Sequence, residues 1–131
     1  MNENYDVVAL LPMKANSERV PNKNFRVLGD KPLFVWILEK LLGVQAIDRV
    51  VINTDARKNL EEHSIIHNER VLIRDRAPDI CGDLVSMNDV LADDVHHIHS
   101  QSYMMTHTTN PFLQTETIAD CLKIYTNKVI E

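Results

Sequence analysis

Val7-Val8-Ala9-Leu10-Leu11 is an unbroken apolar run that stops at Pro12. A short run without polar alternation predicts a strand covered on both faces. A long polar loop follows. Phe34, Ile37, Leu38, Leu41 and Leu42 then recur at helical spacing, with Glu39 and Lys40 off the stripe. That pattern predicts an amphipathic helix, with Pro32 at its start and Gly43 as its stop. Arg49 to Thr54 reads as a second strand. Asp55 is a candidate cap for a helix over 56–67, whose apolar positions are only Leu60, Ile65 and Ile66. Val71 to Ile73 reads as a third strand, and a loop runs from Arg74 to about Val85. Met87, Val90, Leu91, Val95 and Ile98 form another helical stripe, interrupted by Asp94. Tyr103 to Thr106 reads as a fourth strand. Thr115 is a candidate cap for a last helix, with Glu116 in its first turn and Ile118, Leu122 and Tyr125 on its inner face.

Strands and helices therefore alternate, which predicts an α/β fold with a mainly parallel sheet and helices on both faces. The 131 residues suit one domain, and no internal repeat or linker divides them. Ligands of such sheets bind beyond the carboxyl ends of the strands. The segments after Leu11, Thr54, Ile73 and Thr106 are thus where chemistry is expected.

Charge narrows the candidate partners. The formal net charge is −5, with 44% hydrophobic and 25% charged residues. A nucleic-acid surface is normally basic overall, so that class of partner is not expected. Cys81 and Cys121 make no C-x-x-C pair and are read as ordinary reduced thiols. The polar, acidic start lacks the features of a secretory signal, and no apolar run approaches a membrane span, so a cytoplasmic location and no membrane association are expected. His96, His97 and His99 do not share a helical face and are read as surface residues rather than metal ligands.

One local reversal of charge stands out. From Lys14 to Lys31 there are five basic and two acidic residues, a balance of +3. Lys14, Arg19 and Lys23 sit among Asn16, Ser17, Asn22 and Asn24. Asn tolerates positive φ, so such a loop can turn backbone amides toward an anion while lysines supply charge. A polyphosphate is the ligand this favours; a solvated surface loop is the competing reading. Neither G-x-x-x-x-G-K-[ST] nor G-x-G-x-x-G is present.

The stretch Leu11 to Asn24, L-P-M-K-A-N-S-E-R-V-P-N-K-N, resembles the signature loop of CMP-sialic acid synthetases (acylneuraminate cytidylyltransferases), and more distantly that of CMP-Kdo synthetases. Ser17, Pro21, Lys23 and Asn24 match the pattern; Lys14 stands where Arg is usual and Glu18 where Lys is usual. Val51 to Asp55 is similar to the family's V-V-S-T-D, Arg76 to Asp83 to R-P-A-E-L-A-x-D, and Met105 to Leu113 to L-L-Q-P-T-S-P-L-R. Ser86 covers the family's A-S-S position, with Met87 in place of a second Ser, and is equally a good N-cap. His107 takes the place of the family's Gln, and could instead be a structural histidine.

The resemblance implies a three-layer, Rossmann-like nucleotide-diphospho-sugar transferase fold, in truncated form. It implies a nucleotidyltransferase that joins CMP from CTP to the anomeric hydroxyl of a sialic-acid-like sugar and releases pyrophosphate. It assigns Lys14 and Lys23 to catalysis, and Lys14, Asn16, Ser17, Lys23, Asn24, Arg76 and Ser86 to the nucleotide. His107 is assigned to the sugar. Mg²⁺ is the expected cofactor, with its ligands past residue 131, as is the segment of the family's dimer contact. A homodimer is compatible with the family, and the 131 residues alone are expected to turn over weakly or not at all. Two alternatives stand beside this reading: a sugar nucleotidyltransferase of other base or sugar specificity, and a nucleotide-binding remnant without catalysis.

Overall fold

The protein is described from a computed structural model, which covers residues 4–13, 23–81, 86–108 and 110–130, the last four without side chains. Strand β1 (Asn4–Leu10) carries the first apolar run. Its side chains alternate between two cores: Ala9 and Leu11 enter the larger one, Val8 and Leu10 the smaller. Both faces of the segment Val8 to Leu11 are thus covered, which is why no polar residue interrupts that run.

Strand β4 (Arg49–Thr54) lies parallel beside β1, with Leu10 opposite Val51. On its far side β5 (Val71–Asp75) pairs in parallel, Thr54 opposite Asp75. Strand β6 (His99–Met105) flanks β1 on the other side, Leu10 opposite Met105. The sheet order is β5-β4-β1-β6, and all three pairings are parallel. The carboxyl ends of the four strands therefore share one edge.

Helix α1 (Leu33–Leu42) buries Phe34, Ile37, Leu38 and Leu41, the predicted stripe, in the larger core. Gly43 follows in ordinary right-handed geometry, φ −74°. An added Cβ there would lie 3.4 Å from both the Lys40 carbonyl and Thr115, about ordinary contact distance. Ahead of α1, within the predicted polar loop, lies a hairpin of β2 (Val27–Leu28) and β3 (Lys31–Pro32). Gly29 turns it with φ +70°, a conformation glycine adopts without a Cβ clash.

The helix expected over 56–67 is two pieces, α2 (Arg57–Glu61) and a 3₁₀ turn Ser64–His67. His63 breaks them apart with extended backbone, φ −103° and ψ 127°. Its ring lies edge-on to Phe34 and stacked on Phe25, at 5.1 and 6.2 Å between centroids. Helix α3 (Met87–His97) is also rotated from expectation: Val90 and Asp94 are buried, while Met87 and Val95 are exposed. Ile98 falls beyond the helix, and His99 begins β6. In α4 (Thr115–Ile130) Ile118 and Leu122 are buried as expected, but Tyr125 is 51% exposed. His96, His97 and His99 are all exposed. Cys81 and Cys121 are free thiols, and no helix among the described residues is long and apolar enough to cross a membrane.

Candidate nucleotide site

Beyond Leu10 the chain keeps to the sheet edge for three more residues. Leu11 N donates to Val51 O at 2.9 Å, Met13 N donates to Asn53 O at 3.0 Å, and Met13 forms a parallel bridge with Thr54. The cationic loop therefore leaves from the carboxyl edge, between the ends of β1 and β4. Lys14, Asn16 and Ser17 lie outside the described residues.

The loop returns at a 3₁₀ turn, Lys23–Phe25. Lys23 is half-buried, and Asn24 is only 6% exposed. The Thr108 hydroxyl donates to Asn24 Oδ1 at 2.5 Å, across 84 positions of sequence. Thr108 follows β6, so this bond ties the end of the cationic loop to the loop beyond the neighbouring strand. His107, one residue earlier, is exposed; its carbonyl accepts from Asn110 N at 3.2 Å. Thr106 is buried, and its hydroxyl has no hydrogen-bond partner among the described residues.

Arg76 stands just past β5 and is 6% exposed. Its Nε donates to Asn53 Oδ1 at 3.0 Å, and its Nη2 to Asn53 O at 3.0 Å and Met13 O at 3.3 Å. Burying a guanidinium demands such partners. They make Arg76 a clasp across the ends of β1, β4 and β5, a role its place in the sequence did not reveal. Arg76 also lines a cavity of about 560 Å³ with Thr54, Asp55, Ala56, Lys58 and Asp75.

Behind Arg76 a polar chain runs into the molecule. Asn53 Nδ2 donates to Asp94 Oδ1 at 2.8 Å. Arg74 Nη1 donates to the same oxygen at 2.6 Å and to Asp93 Oδ2 at 3.0 Å. Asp94 is fully buried, and that burial pushes its carboxyl above the ordinary value of 3.8, against the opposing pull of Asn53 and Arg74. Asp94 Oδ2 has no hydrogen-bond partner among the described residues.

Sequence reasoning missed Asn53, Arg74, Asp94 and Thr108. Two signals were available: a polar Asn within the apolar strand Val50 to Thr54, and an Asp within the α3 stripe. A polar side chain at a core position needs a partner, and here each is the other's. Asp55 is exposed, and the residue at the N-cap of α2 is Ala56, one position later; the Thr54 hydroxyl accepts from Ala56 N at 2.9 Å. Ser86 does cap α3, its hydroxyl accepting from Asp89 N at 3.3 Å. The structure thus links Asn24 to the loop of His107, and Arg76 to Met13. Ser86 stays exposed and, among the described residues, bonds to none of these. No cluster of three or more His, Cys, Asp or Glu among the described residues could hold a metal ion.

Known proteins resemble this chain in sequence and fold. It is 26% identical over 123 residues to a CMP-N,N'-diacetyllegionaminic acid synthase of Legionella pneumophila, covering 91% of this chain and 53% of that protein. It is 24% identical to an N-acylneuraminate cytidylyltransferase of Escherichia coli, covering 91% of this chain and 28% of the relative. A 3-deoxy-manno-octulosonate cytidylyltransferase of Christiangramia forsetii is 24% identical, with 45% of its length covered. The chain thus spans about half or less of these relatives. Among solved structures, a CMP:2-keto-3-deoxy-manno-octonic acid synthetase complexed with CTP superposes with a TM-score of 0.75 at 19% identity, over 93% of this chain and 48% of that one. That likeness establishes the expected nucleotidyltransferase-like fold. The family model described as Cytidylyltransferase matches residues 8–129, nearly the whole chain, and the protein belongs to that family.

Proposed function

We propose that this chain forms the CTP-binding part of an enzyme that transfers CMP to the anomeric hydroxyl of a sialic-acid-like sugar acid. The hydroxyl oxygen attacks the α-phosphorus of CTP and forms a new P–O bond. The bond between the α-phosphorus and the bridging oxygen breaks, pyrophosphate leaves with its electron pair, and the hydroxyl proton passes to solvent or a base. Catalysis of this kind is mostly alignment and charge neutralisation. Lys14 and Lys23 offset charge on the triphosphate. Asn16, Ser17 and Asn24 orient it with backbone amides of the loop. Arg76 and Ser86 hold the nucleoside, and His107 meets the sugar.

The observation that carries this reading is the bond from Thr108 to Asn24, which draws the end of the cationic loop to the His107 loop on the carboxyl edge of the parallel sheet. That edge is where ligands of open α/β sheets sit. The names of the relatives support a sugar acid as acceptor.

Calorimetry with CTP, UTP, ATP and GTP, each with and without Mg²⁺, tests the proposal. Tighter binding of CTP than of the other three is expected. Replacing Lys14 and Lys23 together with Glu is expected to weaken CTP binding by at least about a hundredfold, roughly one decade or more per reversed charge. Equal affinity for all four nucleotides, or an unchanged CTP affinity in the double variant, would refute it.

A further inference from the structure

The polar chain behind Arg76 has a direction built into it. Asn53 sits between Asp94 and Arg76 and presents an amide, which has one donating end and one accepting end. Asp94, when ionised, only accepts. It therefore captures the NH₂ end of Asn53 and turns the carbonyl end outward. Arg76 only donates, and its Nε meets that carbonyl at 3.0 Å. Reversed, the amide would set its oxygen against the carboxylate and its NH₂ against the guanidinium, so both contacts would turn repulsive. Asp94 itself is held by Arg74, which bridges it to Asp93.

The clasp leaves part of Arg76 unspent. Nε and Nη2 are used on Asn53 and Met13, whereas Nη1 has no hydrogen-bond partner among the described residues. Arg76 meanwhile lines the 560 Å³ cavity at the sheet edge. A guanidinium has a rigid planar fork, so fixing two of its nitrogens fixes the third.

We propose that Asp94 is a positioning residue for the nucleotide site: through the Asn53 amide it sets the plane of the Arg76 guanidinium, so that the Nη1 edge is presented in a fixed orientation to the bound nucleotide. The nucleotide part rests on the function proposed above; the orientation of Arg76 does not. Asp94 never touches the ligand. Its effect is transmitted by one amide across two hydrogen bonds, and so depends on an acceptor at position 94 rather than on charge there.

The test follows two readouts in the full chain. Hydrogen exchange of the Arg76 Nε–H, measured by NMR, reports the clasp without any ligand; calorimetry reports CTP affinity. In Asp94→Leu, which has no acceptor, Nε–H exchange is expected to quicken about tenfold or more, since a hydrogen bond to a charged group is lost. CTP affinity is expected to fall by a similar factor. Asp94→Asn keeps an oxygen to accept from Asn53, and is expected to stay within about threefold of wild type in both readouts, which a purely structural need for the charged pair with Arg74 would not produce. If Asp94→Leu does not fold, Asp94→Ala carries the test: it too lacks an acceptor, adds no bulk, and is expected to quicken Arg76 Nε–H exchange to the same extent. Arg76 exchange that is unmoved in a folded Asp94→Leu or Asp94→Ala protein overturns the proposal. Failure of wild-type protein to bind CTP, with the exchange results as expected, would refute the proposed function and leave the orienting role of Asp94 standing. Altered exchange with unaltered CTP affinity would refute the nucleotide part of the inference.

Discussion

Replacing Asn24 with Ala removes one end of the bond that joins the two loops of the site. Asn24 and Thr108 are each 6% exposed, so water does not readily replace the lost partner. Asn24 has further interactions besides this bond, and the loss of the side chain sets a lower bound through the Thr108 contact alone. A buried hydroxyl left unpaired costs about 1–3 kcal/mol. Thr108→Val removes the other end of the same bond. The two losses cannot add: once Asn24 is gone, Thr108→Val removes an orphaned hydroxyl and is close to neutral. The double variant is therefore expected to be more stable than the sum of the single changes implies by about 1 kcal/mol or more. Urea denaturation of the four proteins measures this. CTP titration of the same set should show both single variants weakened, since either change releases the cationic loop from the His107 loop. Strict additivity of the two changes, or an Asn24→Ala protein within about 0.5 kcal/mol of wild type, would refute the view that this bond holds the loops together.

Other expectations follow from the same geometry. Arg70 Nη1 donates to Leu42 O at 2.6 Å, and Nη2 to Val44 O and Ile47 O at 2.8 and 2.6 Å, so one guanidinium satisfies three carbonyls between α1 and β4. Arg70→Ala should cost about 3 kcal/mol in urea denaturation, and Arg70→Lys most of that, because a compact ammonium does not reproduce the planar fork whose two nitrogens reach these carbonyls. A loss under about 1 kcal/mol in Arg70→Ala would count against this. Asp94 should titrate above 3.8 by carbon NMR, because burial outweighs its hydrogen bonds. A raised folded value means that the folded protein holds this proton more tightly than the unfolded chain. The contribution of Asp94 to stability is then fully present below about 3.9 and is lost as pH rises through the folded midpoint. The stability of Asp94→Asn relative to wild type should accordingly rise over that window and level off above it; a relative stability that falls with rising pH would contradict the burial.

The parts of the fold that were legible in the sequence are those where one residue's character suffices. Val7 to Leu11 needed no partner to be read as a doubly covered strand, and the α1 stripe from Phe34 to Leu41 points its own way inward. What was not legible depends on pairs distant in sequence. Asp94 looked like a flaw in an apolar stripe because its partners, Asn53 and Arg74, lie on two other elements; with them in place α3 turns so that Val95 and Met87 face outward. His63 broke a predicted helix by packing on Phe25 and Phe34, which periodicity along 56–67 could not contain. In the site, Asn24 was found as a family position, but its bond to Thr108 required the fold to bring residues 84 apart together.

The α3 side of the sheet changes character along the strands. Val8, Leu10 and Val51 form an apolar cluster with Leu72 and Leu91, and two residues further along the strands the same face carries Asn53 and Arg74, which meet Asp94 of α3. Apolar packing is tolerant of shape changes at modest cost, whereas a buried hydrogen-bonded network is satisfied or expensive. Placing the network just under the rim gives Arg76 few alternative positions, at the expense of a carboxylate that burial disfavours. Ala-for-Leu changes at Leu91 should therefore lower stability by about 2 kcal/mol while leaving the Arg76 clasp formed, since the residue belongs to the apolar cluster and not to the network. Arg76 Nε–H exchange at least about tenfold faster in a folded Leu91→Ala protein than in wild type would show that packing, not the Asp94–Asn53 chain, sets the rim.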